Sequence, residues 1–361
     1  MSQTLQPFKS RPVAVWLFLM AFAIWLMVII GGSTRLTGSG LSITEWQPIM
    51  GTLPPLSTEA WDEAFRKYQV TPQFRISNPD MDMHGFKVIF WWEYAHRLWG
   101  RFLGFFFALP FFYFALKRQL SKAWIVKLSI ALVLGGAQGL LGWFMVKSGL
   151  MDKPWVSPYR LTAHLLLALG LFSYILWLAC SSWPFSRDNQ SDDRRSDCRK
   201  KWLTWAVPAM LVLLLIQIAW GGFMAGGKLA LSYPTFPKLN GQWLPDGLFH
   251  FQSLWHHLCE NPAAVHLIHR GLGTLLVVVL CAFWWLTRKA AWNGLLGAAR
   301  KLLPLLVLIQ FLLGVLTVLY SVGRIPVFLG VAHQATAVLL LASVVILWQQ
   351  IKERGIAGAG S

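Results

Sequence analysis

Glu93-Tyr94-Ala95-His96-Arg97-Leu98-Trp99-Gly100-Arg101-Phe102-Leu103-Gly104 sets a carboxylate, an imidazole and a guanidinium inside an apolar run long enough to cross a bilayer. An ionisable group at that depth costs ~3 kcal/mol on insertion scales, so each marks a functional position until a partner explains it. Glu93, His96 and Arg97 are spaced i, i+3, i+4, which gathers them on one face of a helix. The pattern returns as His266-Leu267-Ile268-His269-Arg270-Gly271-Leu272-Gly273, with His266 where the first copy has Glu93. The likeness of the copies, and that one difference, organise the reading of the whole chain.

The surrounding composition is that of a membrane protein. Of 361 residues 56% are hydrophobic and 13% charged. Apolar runs of about 20 residues recur, each long enough to span a hydrocarbon core. The pattern predicts an all-α integral membrane protein with eight transmembrane helices, at about 13–31, 86–116, 123–146, 159–183, 202–223, 263–287, 302–320 and 326–350. The net charge of +17 does not indicate nucleic acid, because the basic residues fall between apolar runs. Lys9, Arg11, Lys117, Arg118, Lys122, the 187–201 linker, Arg288, Lys289, Arg300, Lys301, Lys352 and Arg354 all fall on one side. The positive-inside rule makes that side cytoplasmic, with both termini there and the long loops outside. The first apolar run lacks a small-residue cleavage site and reads as a signal anchor. Cys180, Cys198, Cys259 and Cys281 form no CxxC, so neither a zinc ribbon nor a thioredoxin-type site is indicated.

The eight spans divide into two matching sets of four. Gly31-Gly32 aligns with Gly221-Gly222, Leu41-Ser42 with Leu231-Ser232, His96-Arg97 with His269-Arg270, Gln138 and Gly142 with Gln310 and Gly314, and Ala163-His164 with Ala332-His333. Four spans is an even number, so both halves run the same way through the membrane. They are expected to form two four-helix bundles related by a pseudo-twofold axis along the membrane normal. The domains are then 1–186, a charged linker at 187–201, and 202–361.

Spans two, four, six and eight enter from the outer side, and each carries one histidine near that entry: His96, His164, His269 and His333. Each bundle thus offers two imidazoles from two helices. Paired axial histidines in an apolar core suit a b-type haem. Arg97 and Arg270 offer guanidinium groups to haem propionates. A single intramembrane histidine is often an interhelical hydrogen-bonding residue, but four at matched positions and one level are harder to explain that way. Zinc is the weaker rival, because the flanking arginines repel a dication. Gln138 and Gln310 read as interhelical hydrogen-bond partners rather than ligands. His250, His256 and His257 lie in the second outer loop and read as solvated. Cys180 and Cys281 read as small core residues. Glu93 is either an ion-pair partner of Arg97 or Arg101, or a catalytic group that moves a proton or stabilises developing positive charge. Its absence from the second half suggests that the first half does chemistry and the second keeps a permanent haem.

In these residues the chain resembles the haem A synthase family. The likeness runs from Gly31-Gly-Ser-Thr-Arg-Leu-Thr-Gly-Ser-Gly-Leu-Ser-Ile-Thr-Glu-Trp-Gln-Pro48 through Glu93-Tyr-Ala-His-Arg97 and His269-Arg270 to His333-Gln334. It implies an enzyme that oxidises a ring methyl of haem o to the formyl of haem a for a terminal cytochrome oxidase, by successive hydroxylation and loss of water. It further implies His96 and His164 as axial ligands of the substrate haem, Glu93 as the catalytic residue, and His269 and His333 as iron ligands of a haem b cofactor. Residues 32–85 contain no cysteine, so the likeness is to the mitochondrial and alpha-proteobacterial type, without the loop cysteine pair of some bacterial members. A bacterial inner membrane, haem o supplied by a haem O synthase, an unidentified electron donor and self-association are the expected setting.

An iron held by two histidines has no open position for O2. Either one histidine releases during turnover, or the substrate is oxidised by electron removal and attacked by water, with Glu93 stabilising a ring-methyl cation or taking a proton. Two rival functions remain. A di-haem cytochrome b that only transfers electrons explains the four histidines but not Glu93, and its haems belong near opposite faces. A transporter built on repeats is the third.

Overall fold

The computed structural model describes residues 8–45, 50–150, 154–184, 197–249, 253–290 and 292–357. Within them there are eight helices long and apolar enough to cross a membrane. They are α1 (Arg11–Leu36), α4 (Met83–Leu116), α5 (Lys122–Gly149), α6 (Pro158–Ser182), α7 (Asp197–Gly226), α9 (Pro262–Thr287), α10 (Gly294–Leu319) and α11 (Val327–Ala357). Three shorter helices, α2 (Thr58–Gln69), α3 (Pro72–Ser77) and α8 (Leu254–Glu260), lie in the two long loops. Among the described residues there is no β-strand, only a lone bridge between Leu239 and Gln242.

Two spans differ from the sequence expectation for a physical reason. Arg300 and Lys301 read as loop charges, yet α10 begins at Gly294. Arg300 is buried, and its Nη1 donates to Thr287 O at 2.6 Å and Ala290 O at 2.7 Å. It caps the open carbonyls at the end of α9, the terminus that favours a cation. Of the 187–201 linker, residues 187–196 lie outside the described residues and 197–201 already belong to α7.

The packed pairs follow one scheme in each half. α1, α4, α5 and α6 close a ring in which each helix touches its chain neighbours and α6 returns to α1; α7, α9, α10 and α11 do the same. The halves meet through α1–α11, α6–α7 and α6–α11. Exchanging α1 with α7 and α6 with α11 maps that set of contacts onto itself. α1 and α6 are the most enclosed spans, whereas α4, α5, α9 and α10 present most of their surface outward. A continuous apolar core runs through all eight spans, including Leu17, Leu128, Ile175, Val207, Leu280, Leu303 and Val344.

Local capping sets the depth of the histidines. α6 and α9 begin with proline at the first turn, where its missing N–H costs nothing. Asn261 caps α9 by accepting from Ala263 N and Ala264 N. His164, His269 and His333 then sit in the second helical turn, ~10 Å from the helix start at 1.5 Å per residue. His96 lies further along its helix, because α4 begins at Met83. Its first turns, with Phe86 and Phe90, pack on Tyr68 and Trp61 in an aromatic cluster of the first long loop. The sequence showed that loop as polar and aromatic; α2 and α3 were hidden by their brevity, although the caps Ser57 and Thr71 mark their starts.

Candidate functional site

Each of the four histidines lies against a glycine of a neighbouring helix in its own half. A Cβ on Gly31 would stand 2.9 Å from Cε1 of His96, and one on Gly142 2.9 Å from Cε1 of His164. In the second half the corresponding separations are 3.2 Å for Gly221 and His269, and 2.9 Å for Gly314 and His333. All four approaches are closer than ordinary carbon contacts of ~3.5–4.0 Å; a side chain at Gly31, Gly142 or Gly314 would displace the ring, whereas at Gly221 the ring need give by only a few tenths of an ångström. The second member of each Gly-Gly pair faces the other half: a Cβ on Gly32 would meet Gln334 Oε1 at 2.7 Å, and one on Gly222 would meet Thr162 Oγ1 at 2.6 Å. Thus one dipeptide seats a histidine with its first residue and joins the bundles with its second. Trp25 Nε1 to Ala335 O at 3.1 Å, Gln334 Nε2 to Val28 O at 3.3 Å and Arg35 Nη1 to Ala225 O at 2.8 Å also tie the halves together.

Within each half the imidazoles are electrostatic neighbours, His96 with His164 and His269 with His333. Gln138 Nε2 lies 3.1 Å from His164 Nδ1 and donates to His164 O at 3.0 Å. His333 Nδ1 lies 3.0 Å from Gln310 O, and Gln310 Nε2 3.2 Å from His333 Nε2. The glutamines therefore act as hydrogen-bond partners of the histidines, as their place in the sequence suggested. Nδ1 of His96 and of His269 is buried without a hydrogen-bond partner.

Glu93 is 2% exposed. Its Oε1 accepts from Arg97 Nη2 at 2.6 Å and Arg97 Nε at 3.0 Å. Its Oε2 accepts from Ser42 Oγ and from Ile43 N, both at 2.8 Å. Arg97 also donates through Nη2 to Ile43 O at 2.7 Å and through Nη1 to Glu45 O at 2.9 Å. The ion pair is thus with Arg97, and it fastens the loop that follows α1. In the second half His266 takes the place of Glu93 and is fully buried, with Nε2 2.8 Å from Leu229 O. Arg270 Nη2 donates to Tyr233 O at 3.0 Å, the repeat counterpart of the Arg97–Ile43 bond. Arg270 has no carboxylate partner among the described residues, and its Nε is buried and unsatisfied. The arginine clasp is therefore shared by the halves, while only the first clasp contains an anion. Of the loop residues read as solvated, His256 forms an exposed pair with Glu260 at 3.3 Å; His250 lies outside the described residues. Cys180 and Cys259 are buried and free, and Cys281 is free and half-buried.

These residues fit a pair of haems. Each half brings together two imidazoles from different helices, glycine clefts that admit the rings, apolar walls and an arginine at the loop end. With Nδ1 of His333 on a main-chain carbonyl, Nε2 is the nitrogen that would ligate iron, and the Gln310 amide that now lies 3.2 Å from it would have to turn aside.

The family of cytochrome oxidase assembly proteins designated COX15-CtaA matches residues 14–345. The chain belongs to this family. It is 42% identical to the haem A synthase of Caulobacter vibrioides over 342 residues, which is 95% of this chain and 96% of that protein. It is 42% identical to the haem A synthase of the Wolbachia pipientis strain wMel over 335 residues, 93% of this chain and 91% of the relative. The haem A synthase COX15 of Arabidopsis thaliana is 40% identical over 352 residues, 94% of this chain and 75% of the plant protein. The matched region spans both halves.

Proposed function

We propose that this chain is a haem A synthase that oxidises a ring methyl of haem o to the formyl group of haem a, for insertion into a terminal cytochrome oxidase. The observation that carries the reading is the unequal pair of clasps. Two matched histidine pairs differ in that a buried carboxylate stands one turn from His96, where a neutral-capable imidazole stands one turn from His269. A protein that only relays electrons has no need of that difference.

His96 and His164 hold the substrate haem; His269 and His333 hold a resident haem b, which when bound supplies one-electron transfer. Converting a methyl to a formyl group removes four electrons and adds one oxygen atom, so positive charge develops at the reacting edge of the substrate. Glu93 is suited to stabilise that charge. Its four hydrogen bonds fix the carboxylate in place before the reaction, and a preorganised charge in a dry site is worth more than one in water. Its accepting capacity is already filled by Arg97, Ser42 and Ile43, which favours electrostatic stabilisation over proton shuttling. Arg270, with an unsatisfied Nε and no carboxylate partner, is the better placed of the two arginines to receive a propionate; Arg97 has one N–H left. The two four-helix halves, related by a pseudo-twofold axis, would lie in a bacterial inner membrane with the termini in the cytoplasm. Haem o would come from a haem O synthase; with O2 as oxidant each hydroxylation would draw two electrons from a separate donor, and with water as the oxygen source the four electrons removed would leave to a separate acceptor.

The test is haem extraction and chromatography from cells that express this chain with a haem o-producing synthase. Haem a appears with the native chain and is lost with Glu93→Gln. If only haem b and unchanged haem o are found, with bis-histidine spectra intact, the chain is an electron-transfer cytochrome.

A further inference from the structure

Both sets of spans seat their histidines on glycine, but they differ in the room beside them. On α5, Gly135, Gly139 and Gly142 are spaced i, i+4, i+7 and share one face. It is the face that seats His164, through Gly142. The matching positions on α10, in register with Gln310 and Gly314, are Val307, Phe311 and Gly314. On α4, Gly104 stands two turns past His96; its counterpart past His269 on α9 is Val277. Three glycines of the first half thus correspond to two valines and a phenylalanine of the second.

The larger side chains fill the second half. Val307 is buried, and Val277 packs against the same apolar core. Phe311 meets the ring of Phe236 edge-on, with centroids 6.0 Å apart, and the Arg270 guanidinium lies 5.9 Å from the Phe236 ring centre. Phe311 therefore closes α10 against the loop that Arg270 ties down. In the first half Gly104, Gly135 and Gly139 are exposed, and no other part of the chain lies within 4 Å of a Cβ placed on any of them. α4 also packs less closely on α5 than α9 does on α10. An open strip ~10 Å long thus runs along α5 from the histidine level at Gly142 to Gly135, at 1.5 Å per residue. At its loop end the first half is polar: Arg97 stands there, and Nδ1 of His96 and Oε1 of Gln138 are buried without a partner. Two turns deeper in the spans it is open and apolar.

Resting on the haem o assignment above, we infer that the strip of Gly135 and Gly139 on α5, with Gly104 on α4, takes the isoprenoid chain of the substrate haem. Haem o differs from haem b by that chain, which leaves the ring on the edge away from the propionates. With the propionates at the loop end beside Arg97, the chain points along the spans toward the bilayer interior, where the three glycines leave room for it. Val277, Val307 and Phe311 occupy the corresponding room in the second half and confine it to a haem without the chain. The six positions therefore sort the two haems between two sites that ligate iron alike. Room for an apolar chain, and its removal by a few carbon atoms, is how a hydrophobic pocket discriminates.

The experiment is titration of the purified chain, carrying its resident haem b, with haem o in detergent and then with haem b as competitor. Bound haems are counted per polypeptide by extraction and chromatography. The native chain should take up haem o in preference to added haem b. Gly139→Phe and Gly135→Val, which copy the second half, should weaken uptake of haem o ~10–200-fold and leave resident haem b at the native level. Native uptake of haem o by both variants overturns the inference, as does an equal loss of affinity for haem o and for added haem b. If the bulky variants do not accumulate, Phe311→Gly decides, made in cells that supply haem o with haem b. More than one isoprenoid-bearing haem per polypeptide supports the inference, and a second half that still holds haem b alone overturns it. A native chain that takes up no haem o and makes no haem a refutes the proposed function, and this inference with it.

Discussion

Gly314→Ala is the sharpest test of the cradle. The added Cβ would lie 2.9 Å from Cε1, 3.4 Å from Nδ1 and 3.7 Å from Nε2 of His333. Carbon atoms rest at ~3.5–4.0 Å, so the ring must retreat by about 0.6–1 Å. Its Nδ1 bond to Gln310 O begins at 3.0 Å; after that retreat it is about 3.6 Å or longer, which is no longer a hydrogen bond. Loss of such support on a ligating histidine weakens the metal site ~10–100-fold, or ~1.4–2.8 kcal/mol. Gly271→Ala is the matched control, since nothing lies within 4 Å of a Cβ there although it is two residues from His269. Haem b per polypeptide, measured as the pyridine haemochrome after purification and again after dilution, should fall for Gly314→Ala and hold for Gly271→Ala. Native retention in Gly314→Ala would refute the reasoning, as would equal loss in both variants.

Glu93→Gln keeps the size and part of the bonding of the carboxylate but removes its charge; haem a formation should fall about 10²–10³-fold while haem b is retained, as read by chromatography. Native turnover would reduce Glu93 to a fastener of the first loop. His269→Ala with His333→Ala should abolish retained haem b, read as the loss of the reduced b-type absorption. Arg300→Ala removes two charge-assisted bonds that cap α9; thermal unfolding in detergent should show about 2–3 kcal/mol lost with the haem spectrum unchanged. Arg97→Lys cannot hold Glu93, Ile43 and Glu45 together, so limited proteolysis should cut the loop after α1 sooner, without a change in the loop after α7.

Much of this could be read from the residues alone because the bilayer leaves few choices. Runs of apolar residues become helices there, so the spans stood out, and the repeat of His-Arg between them marked the candidate site. What stayed hidden was whatever needed a third dimension. Arg300 looked like a loop charge until the end of α9 was seen beside it. Glu93 could be a free acid or an ion-pair partner until Ser42, Ile43 and Arg97 were found on its oxygens, two of them from a loop far away in sequence. Gly31-Gly32 and Gly221-Gly222 could be matched by eye, but not the division of labour within each pair.

The two sets of four spans share a contact scheme and the surroundings of their histidines. Both halves keep the glycine clefts, the paired imidazoles and an arginine that ties down a loop carbonyl. Under the proposed function those features would hold a flat, anionic, iron-bearing ring in each half. The difference that bears on chemistry is one turn before the first histidine, Glu93 against His266. The carboxylate adds a fixed negative charge where oxidation of a substrate would create positive charge. Glu93→His should therefore convert the first half toward the second: chromatography should find haem o bound and unoxidised. Native haem a formation by Glu93→His would refute that reading of the difference.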